Sequence, residues 1–244
     1  MTDEIDTTWS ADHLRVSLFA SDVWSMPAED IFFGVFGATA ETITNKPAAN
    51  EASAVGVWEG LRLEVKRTFN RIDFVVQDVP TDMMGPMPLI KDVRSVLPKF
   101  SSLVALWVSK QTKGVIRIAL GCNAFLLSQS VEDSYVKLKG LINVIDIDVA
   151  RFKEFRFQVN LPKTSSVSPS ITINRLSNWA SIAIRAALIG IDAPRYFDDK
   201  YYVSCSLDVN TDGERTEPIN VDLVERITEE LSLICAEILE VGIS

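Results

Sequence analysis

From Leu14 to Phe19 the chain alternates apolar and polar residues, with Leu14, Val16 and Leu18 on one side, the period of a half-buried strand. Pro27 to Phe36 then carries acidic residues in its first turn and Gly37 after its last apolar residue, which predicts a short helix with proper ends. Residues 38–52 are small and polar and read as a loop. Alternation returns at Ala54 to Trp58, Leu61 to Val65 and Arg71 to Val76, a meander joined at Glu59-Gly60 and at the polar stretch Lys66 to Asn70. Asp78 to Pro88, rich in Pro, Met and Gly, reads as a further loop. Helical spacing runs from Ile90 to Val108, interrupted at Pro98, where a kink or a fresh helix start is expected.

Val115 to Leu127 is the next strand, and Ser130 opens a helix through Ile142, with Asp133 placed to complete a capping box. Phe155 to Leu161 alternates and Ile171 to Asn174 is a short strand. The loop between them, Lys163 to Pro169, is polar and expected to be flexible. Leu176 to Ile189 is Ala-rich and almost wholly apolar, which predicts a helix holding Trp179 and Arg185. A strand at Tyr201 to Val209 and an amphipathic helix at Asp222 to Val241 close the chain.

The order from Leu14 to Leu127 is β-α-β-β-α-β, and from Ser130 to Val241 it is α-β-β-α-β-α. If the strand at 115–127 or the apolar run Val144 to Val149 opens the second half, both halves share one order. The fold class expected is therefore α+β, a mainly antiparallel sheet covered by helices, with two ferredoxin-like β-α-β-β-α-β halves and a C-terminal helix as one arrangement. The boundaries that follow are a frayed segment 1–12, a first half 13–128 and a second half 129–244, able to form one compact body. No residue-level repeat accompanies the repeated order.

Composition supports a sizeable core: 47% of the 244 residues are hydrophobic and 23% charged. No apolar run approaches the roughly 20 residues of a membrane-spanning helix, and the acidic N-terminus has no signal-peptide pattern. With Cys122, Cys205 and Cys235 in apolar company, the expectation is a cytoplasmic protein with buried, reduced thiols and no membrane partner.

Charge changes the picture more than composition does. The net charge is −9, yet residues 61–117 hold ten Lys/Arg against five Asp/Glu, whereas residues 1–60 hold two against ten and residues 222–240 one against six. Arg62, Lys66, Arg67 and Arg71, followed by Lys91, Arg94, Lys99, Lys110, Lys113 and Arg117, form a positive face if hairpin and helix lie side by side. Trp58 and Phe69 could offer stacking surfaces beside them. Mutual neutralisation with the acidic ends of the chain is the plainer outcome.

Catalytic signatures are weak throughout. His13 is the only histidine, so a triad or a histidine-rich metal site has too few ligands, and neither a G-x-S-x-G elbow nor a phosphate-binding glycine loop is present. Asp146 and Asp148 could share a divalent cation if the segment is extended, but a solvent-facing strand edge explains them as well. Asp208, Asn210 and Asp212 before Gly213 have the opening spacing of a calcium loop, but Ile219 stands where its last acid belongs. The sequence thus assigns no catalytic residue, no metal ligand and no cofactor. It points to a non-enzymatic protein-interaction or self-assembling subunit whose partner is another protein or its own copy. Nucleic-acid binding through the 61–117 face, with Arg62, Lys66, Arg67, Arg71 and Trp58 as contacts, is the alternative, and an Asp-based metal-dependent enzyme is the second.

Overall fold

The computed structural model describes residues 8–79, 88–111, 114–185, 187–189, 194–196 and 199–243, for 187–189 and 194–196 as backbone only. In chain order the elements begin with strand β1 (Ser10–Ala20), helix α1 (Ala28–Phe36), β2 (Thr42–Lys46), β3 (Glu51–Trp58), β4 (Leu61–Arg67), β5 (Arg71–Gln77) and helix α2 (Val93–Val108). They continue with β6 (Val115–Ser128), α3 (Val131–Leu141), β7 (Arg156–Asn160), β8 (Lys163–Thr164), β9 (Thr172–Ile184), β10 (Ala187–Ile189), β11 (Pro194–Tyr196), β12 (Lys200–Thr211) and α4 (Val221–Val241).

Ten strands make one antiparallel sheet in the order β2-β3-β4-β5-β1-β6-β12-β9-β7, with β8 beside β9. Its centre is the pair β1 and β6, the first strands of two equivalent windings. From each, the chain crosses through a helix towards the edge and returns strand by strand. The returning strand, β5 or β12, lies beside the starting one, and a second helix follows. The α+β class is as expected, and its chain order is β-α-β-β-β-β-α in the first winding. The order β-α-β-β-α-β does not arise, because β6 opens the second winding instead of closing the first.

Alternation decides which side of each strand is buried. Leu14, Val16 and Leu18 of β1 pair in register with Cys122, Leu120 and Ile118 of β6, and all six are buried beneath the helices. Leu63 and Val65, Phe74 and Val76, and Cys205, Leu207 and Val209 extend this layer across β4, β5 and β12. Above it, α2 and α4 run antiparallel: Arg94 meets Glu240 at one end, and Ser109 Oγ donates to Glu225 Oε1 at the other. The first winding is cemented by aromatic rings, with Phe36 in contact with Phe32, Trp58, Phe74 and Phe100.

Four local expectations change. The segment read as the helix Leu176–Ile189 is strand β9 over its described part to Ile184; Ala186 and Gly190 lie outside the described residues. Ladders to β12 on one side and β7 on the other bond its backbone from both flanks, and Trp179 inserts under α3 and against Trp9. A short apolar run fits a buried strand and a helix equally, so the neighbours settled it. The loop 38–52 contains β2, whose five residues are all exposed and so show no alternation. Order begins earlier than His13: Trp9 and Ala11 are buried, while residues 1–7 of the expected frayed segment lie outside the described residues. Helix α2 is continuous from Val93, so Pro98 sits inside it rather than starting a new helix.

The loop 163–169 is also pinned rather than free. Glu230 of α4 accepts from Ser165 Oγ at 2.5 Å and from Ser166 N at 2.8 Å, and Ser165 Oγ in turn accepts from the backbone N–H groups of Val167 and Ser168.

Candidate functional site

All four helices pack on one side of the sheet, and no described helix covers the other. On β1 that open side carries His13, Arg15, Ser17 and Phe19. Strand pairing extends it through Arg62, Glu64 and Lys66 of β4, and through Arg71, Asp73 and Gln77 of β5.

The expected basic site divides between the two sides of the sheet. Arg62, Lys66 and Arg71 share the open face, whereas Arg67 pairs with buried Ile72 and donates to Trp24 O and Asn50 Oδ1 on the helix side. Trp58 also lies on the helix side, packed against Phe36 and Phe100. The cations of α2 belong to that layer too, so hairpin and helix do not form one positive surface; Lys113 lies outside the described residues. The three open-face cations are neutralised in place. Arg62 reaches Gln77 Oε1 at 2.9 Å and Glu64 at 3.5 Å, and Lys66 reaches Glu51 at 3.5 Å. Arg71 holds Asp73 at 2.7 Å, and Asp73 also accepts from Ser17 Oγ.

The carboxylate pairs are occupied locally as well. Asp146 meets Lys139 at 3.0 Å while largely exposed, and Asp148 caps Ala150 N. Asp208 accepts from Asn210 Nδ2, and Asp212 accepts from Glu214 N. Among the described residues no group of three His, Cys, Asp or Glu is placed to hold a metal ion. The three cysteines are free and buried. They meet in the core between β6, β12 and α4, where burial pushes the Cys122 thiol up to about 12 and raises Cys205 and Cys235 well above the ordinary thiol range. They are protonated core residues rather than nucleophiles.

Three features of the open face emerge only from register. A bulge in β1 between Ala11 and Leu14 turns both Asp12 and His13 outward, where His13 Nδ1 lies 2.6 Å from Asp12 Oδ1 and Asn123 Nδ2 donates to Asp12 Oδ2 at 3.3 Å. Apolar side chains then line up across three strands: Leu127, Tyr202 and Ile182 form one row, and Phe125 and Ala180 flank Ser204 in the next, with the Phe125 and Tyr202 rings 5.9 Å apart. Leu127 is 45% exposed. Finally, Arg15 and Arg117 have no hydrogen-bond acceptor or ion-pair partner among the described residues, and the Nε of each is buried. The Arg117 guanidinium stacks over Phe19 at 5.0 Å, on a ring that Arg71 also approaches at 5.1 Å.

The sheet edges are less inviting than this face. Strand β2 is short, polar and followed by Pro47, and β7 is only five residues long, both devices that discourage edge pairing. A cleft of about 220 Å³ at the ends of β9 and β12 is lined by Ser170, Thr172, Asp212 and Arg215, but Arg215 is spent on the carbonyls of Glu217, Ser170 and Pro218. No helix among the described residues is long and apolar enough to cross a membrane.

Comparison with protein-family models, with curated proteins and with solved structures finds no match.

Proposed function

We propose that this protein is a non-catalytic interaction module that receives an extended segment of a partner protein on the open face of its sheet. The observation that carries this reading is the apolar row Leu127–Tyr202–Ile182, with Phe125 and Ala180 in the row beside it, on the side that no described helix covers. A sheet face meant only for water carries polar residues at such positions; here Phe125 and Tyr202 are only 7% and 8% exposed, and Leu127 at the end of its row is 45% exposed. The amide side chains of Asn123, Asn178 and Gln158 share that face and supply donors and acceptors for a ligand backbone.

Nucleic-acid binding through Arg62, Lys66, Arg67, Arg71 and Trp58 is the weaker reading. Three of these cations already have partners on the open face, and Arg67 and Trp58 lie on the other side.

The test is selection of binders from a randomised peptide library, followed by mapping a selected peptide through amide chemical shifts. Perturbations across β6, β9 and β12 that vanish in Ala180→Arg support the reading. Perturbations confined to the helices overturn it. Sedimentation velocity separates the two kinds of partner: a monomer assigns the face to a different chain, and a dimer dispersed by Ala180→Arg assigns it to a second copy.

A further inference from the structure

We infer that Arg15 and Arg117 are anion anchors, which select a partner segment bearing two carboxylates four residues apart beside apolar residues; the inference rests on the open-face reading above. A buried guanidinium nitrogen without an acceptor is costly, whereas Arg62, Lys66 and Arg71 on the same face each have an acid or amide partner. The protein therefore holds two cations in reserve at the middle of its sheet, although the chain as a whole is acidic at −9.

The surroundings fit a ligand in this position. Arg15 pairs with Gly121 of β6, and a Cβ on Gly121 would stand 3.2 Å from Arg15 Nη2 and 3.1 Å from Leu207 O. Glycine thus lets the guanidinium lie across β6. Asp208, in the same row, is turned to Asn210 and forms no ion pair with Arg15 among the described residues. The Arg117 guanidinium is held between the Phe19 ring and Gly213, where a Cβ would come within 3.3 Å of its Nη1.

Arg15 opposes Gly121, and Arg117 stands four residues farther along β6, so the two anchors are spaced by about 13 Å at the rise of a strand. Phe125 and Leu127 stand four and six residues beyond Gly121 in the other direction. A segment extended along β6 fits when one of its sides presents two apolar residues, a polar one, an acid, a small residue and a second acid. Acids three apart project to opposite sides and reach only one anchor.

The probe is a synthetic extended peptide with this pattern, Val-Thr-Val-Thr-Ser-Thr-Glu-Thr-Ser-Thr-Glu with both ends blocked, compared by fluorescence anisotropy with its Gln-for-Glu counterpart and with an oligothymidylate of similar length. The expected result is at least tenfold tighter binding of the Glu peptide than of the Gln peptide, weakening with salt. Arg15→Gln and Arg117→Gln abolish the difference, Arg15→Lys and Arg117→Lys retain part of it, and Arg62→Gln leaves it unchanged; circular dichroism confirms the fold of each variant. Equal binding of both peptides, lost in Ala180→Arg, overturns the inference while the open-face reading stands. No binding of either peptide at millimolar concentration overturns it as well, leaving the library selection to decide the broader reading. Tighter binding of the oligothymidylate that depends on Arg15 and Arg117 overturns it in favour of a nucleic acid.

Discussion

Glu230 shows how a single side chain holds a loop in place. Burial pushes its carboxyl up, but donation from Ser165 Oγ and Ser166 N, with Lys163 nearby, outweighs that and leaves it below the ordinary glutamate value. A lowered carboxylate pKa stabilises the fold above the unfolded value of 4.5, and that contribution is lost as pH falls through the folded value. Urea denaturation of Glu230→Gln is therefore expected to show a shallower loss of stability below pH 5 than the parent protein. Ser165→Ala, which strips the carboxylate of its hydroxyl donor, is expected to cost about 1–3 kcal/mol. The cysteines give the opposite sign. Their raised pKa values mean stability is intact below about 9, the unfolded thiol value, and declines as pH rises towards the folded values, about 12 for Cys122. Native protein is expected to resist iodoacetamide at pH 8 and to take up three labels in denaturant, counted by mass spectrometry. Little of this was legible beforehand: the apolar flanks of the cysteines announced burial, but nothing local announced that Glu230 would meet a serine loop sixty-four residues away.

Elements were readable where their own pattern sufficed. The alternation of β1, β4 and β5 and the helical ends marked by Pro27, Gly37 and Ser130 all carry local signals, and the structure keeps them: Gly37 closes α1 in the left-handed region, and Ser130 Oγ accepts from Asp133 N. β9 failed the same reading because an apolar run without period is undecided until a neighbour pairs with it. The side chains of α2 and β4 were individually legible as basic, but the side of the sheet each would occupy was not. The end of α4 depends on a contact of this kind. Gly242 adopts a positive φ of 76°, and a Cβ there collides with the backbone of Leu141, where Ile243 pairs with the end of α3. Gly242→Ala is expected to destabilise by roughly 1–3 kcal/mol, the range for strained backbone positions, and to raise amide exchange at Asn143 and Ile243.

At the scale of the molecule, the two windings share one sheet through β1 and β6 and one helix layer through α2 and α4, so neither has a core of its own. Thermal unfolding is expected to be a single transition, with coincident near- and far-ultraviolet circular dichroism; two separated transitions would refute this coupling. The sequence by itself determined the α+β class, the buried thiols and the absence of familiar catalytic and phosphate-binding motifs, because each of these depends on residue type and short-range period. The tertiary structure alone decided the rest. Strand pairing assigns every second side chain to the helix side or the open side, and a one-residue difference in register exchanges the two. That is why Arg67 and Trp58 lie on the helix side, apart from Arg62, Lys66 and Arg71, and why Arg15, Arg117 and Tyr202 share the open side, brought together from strands far apart in the chain.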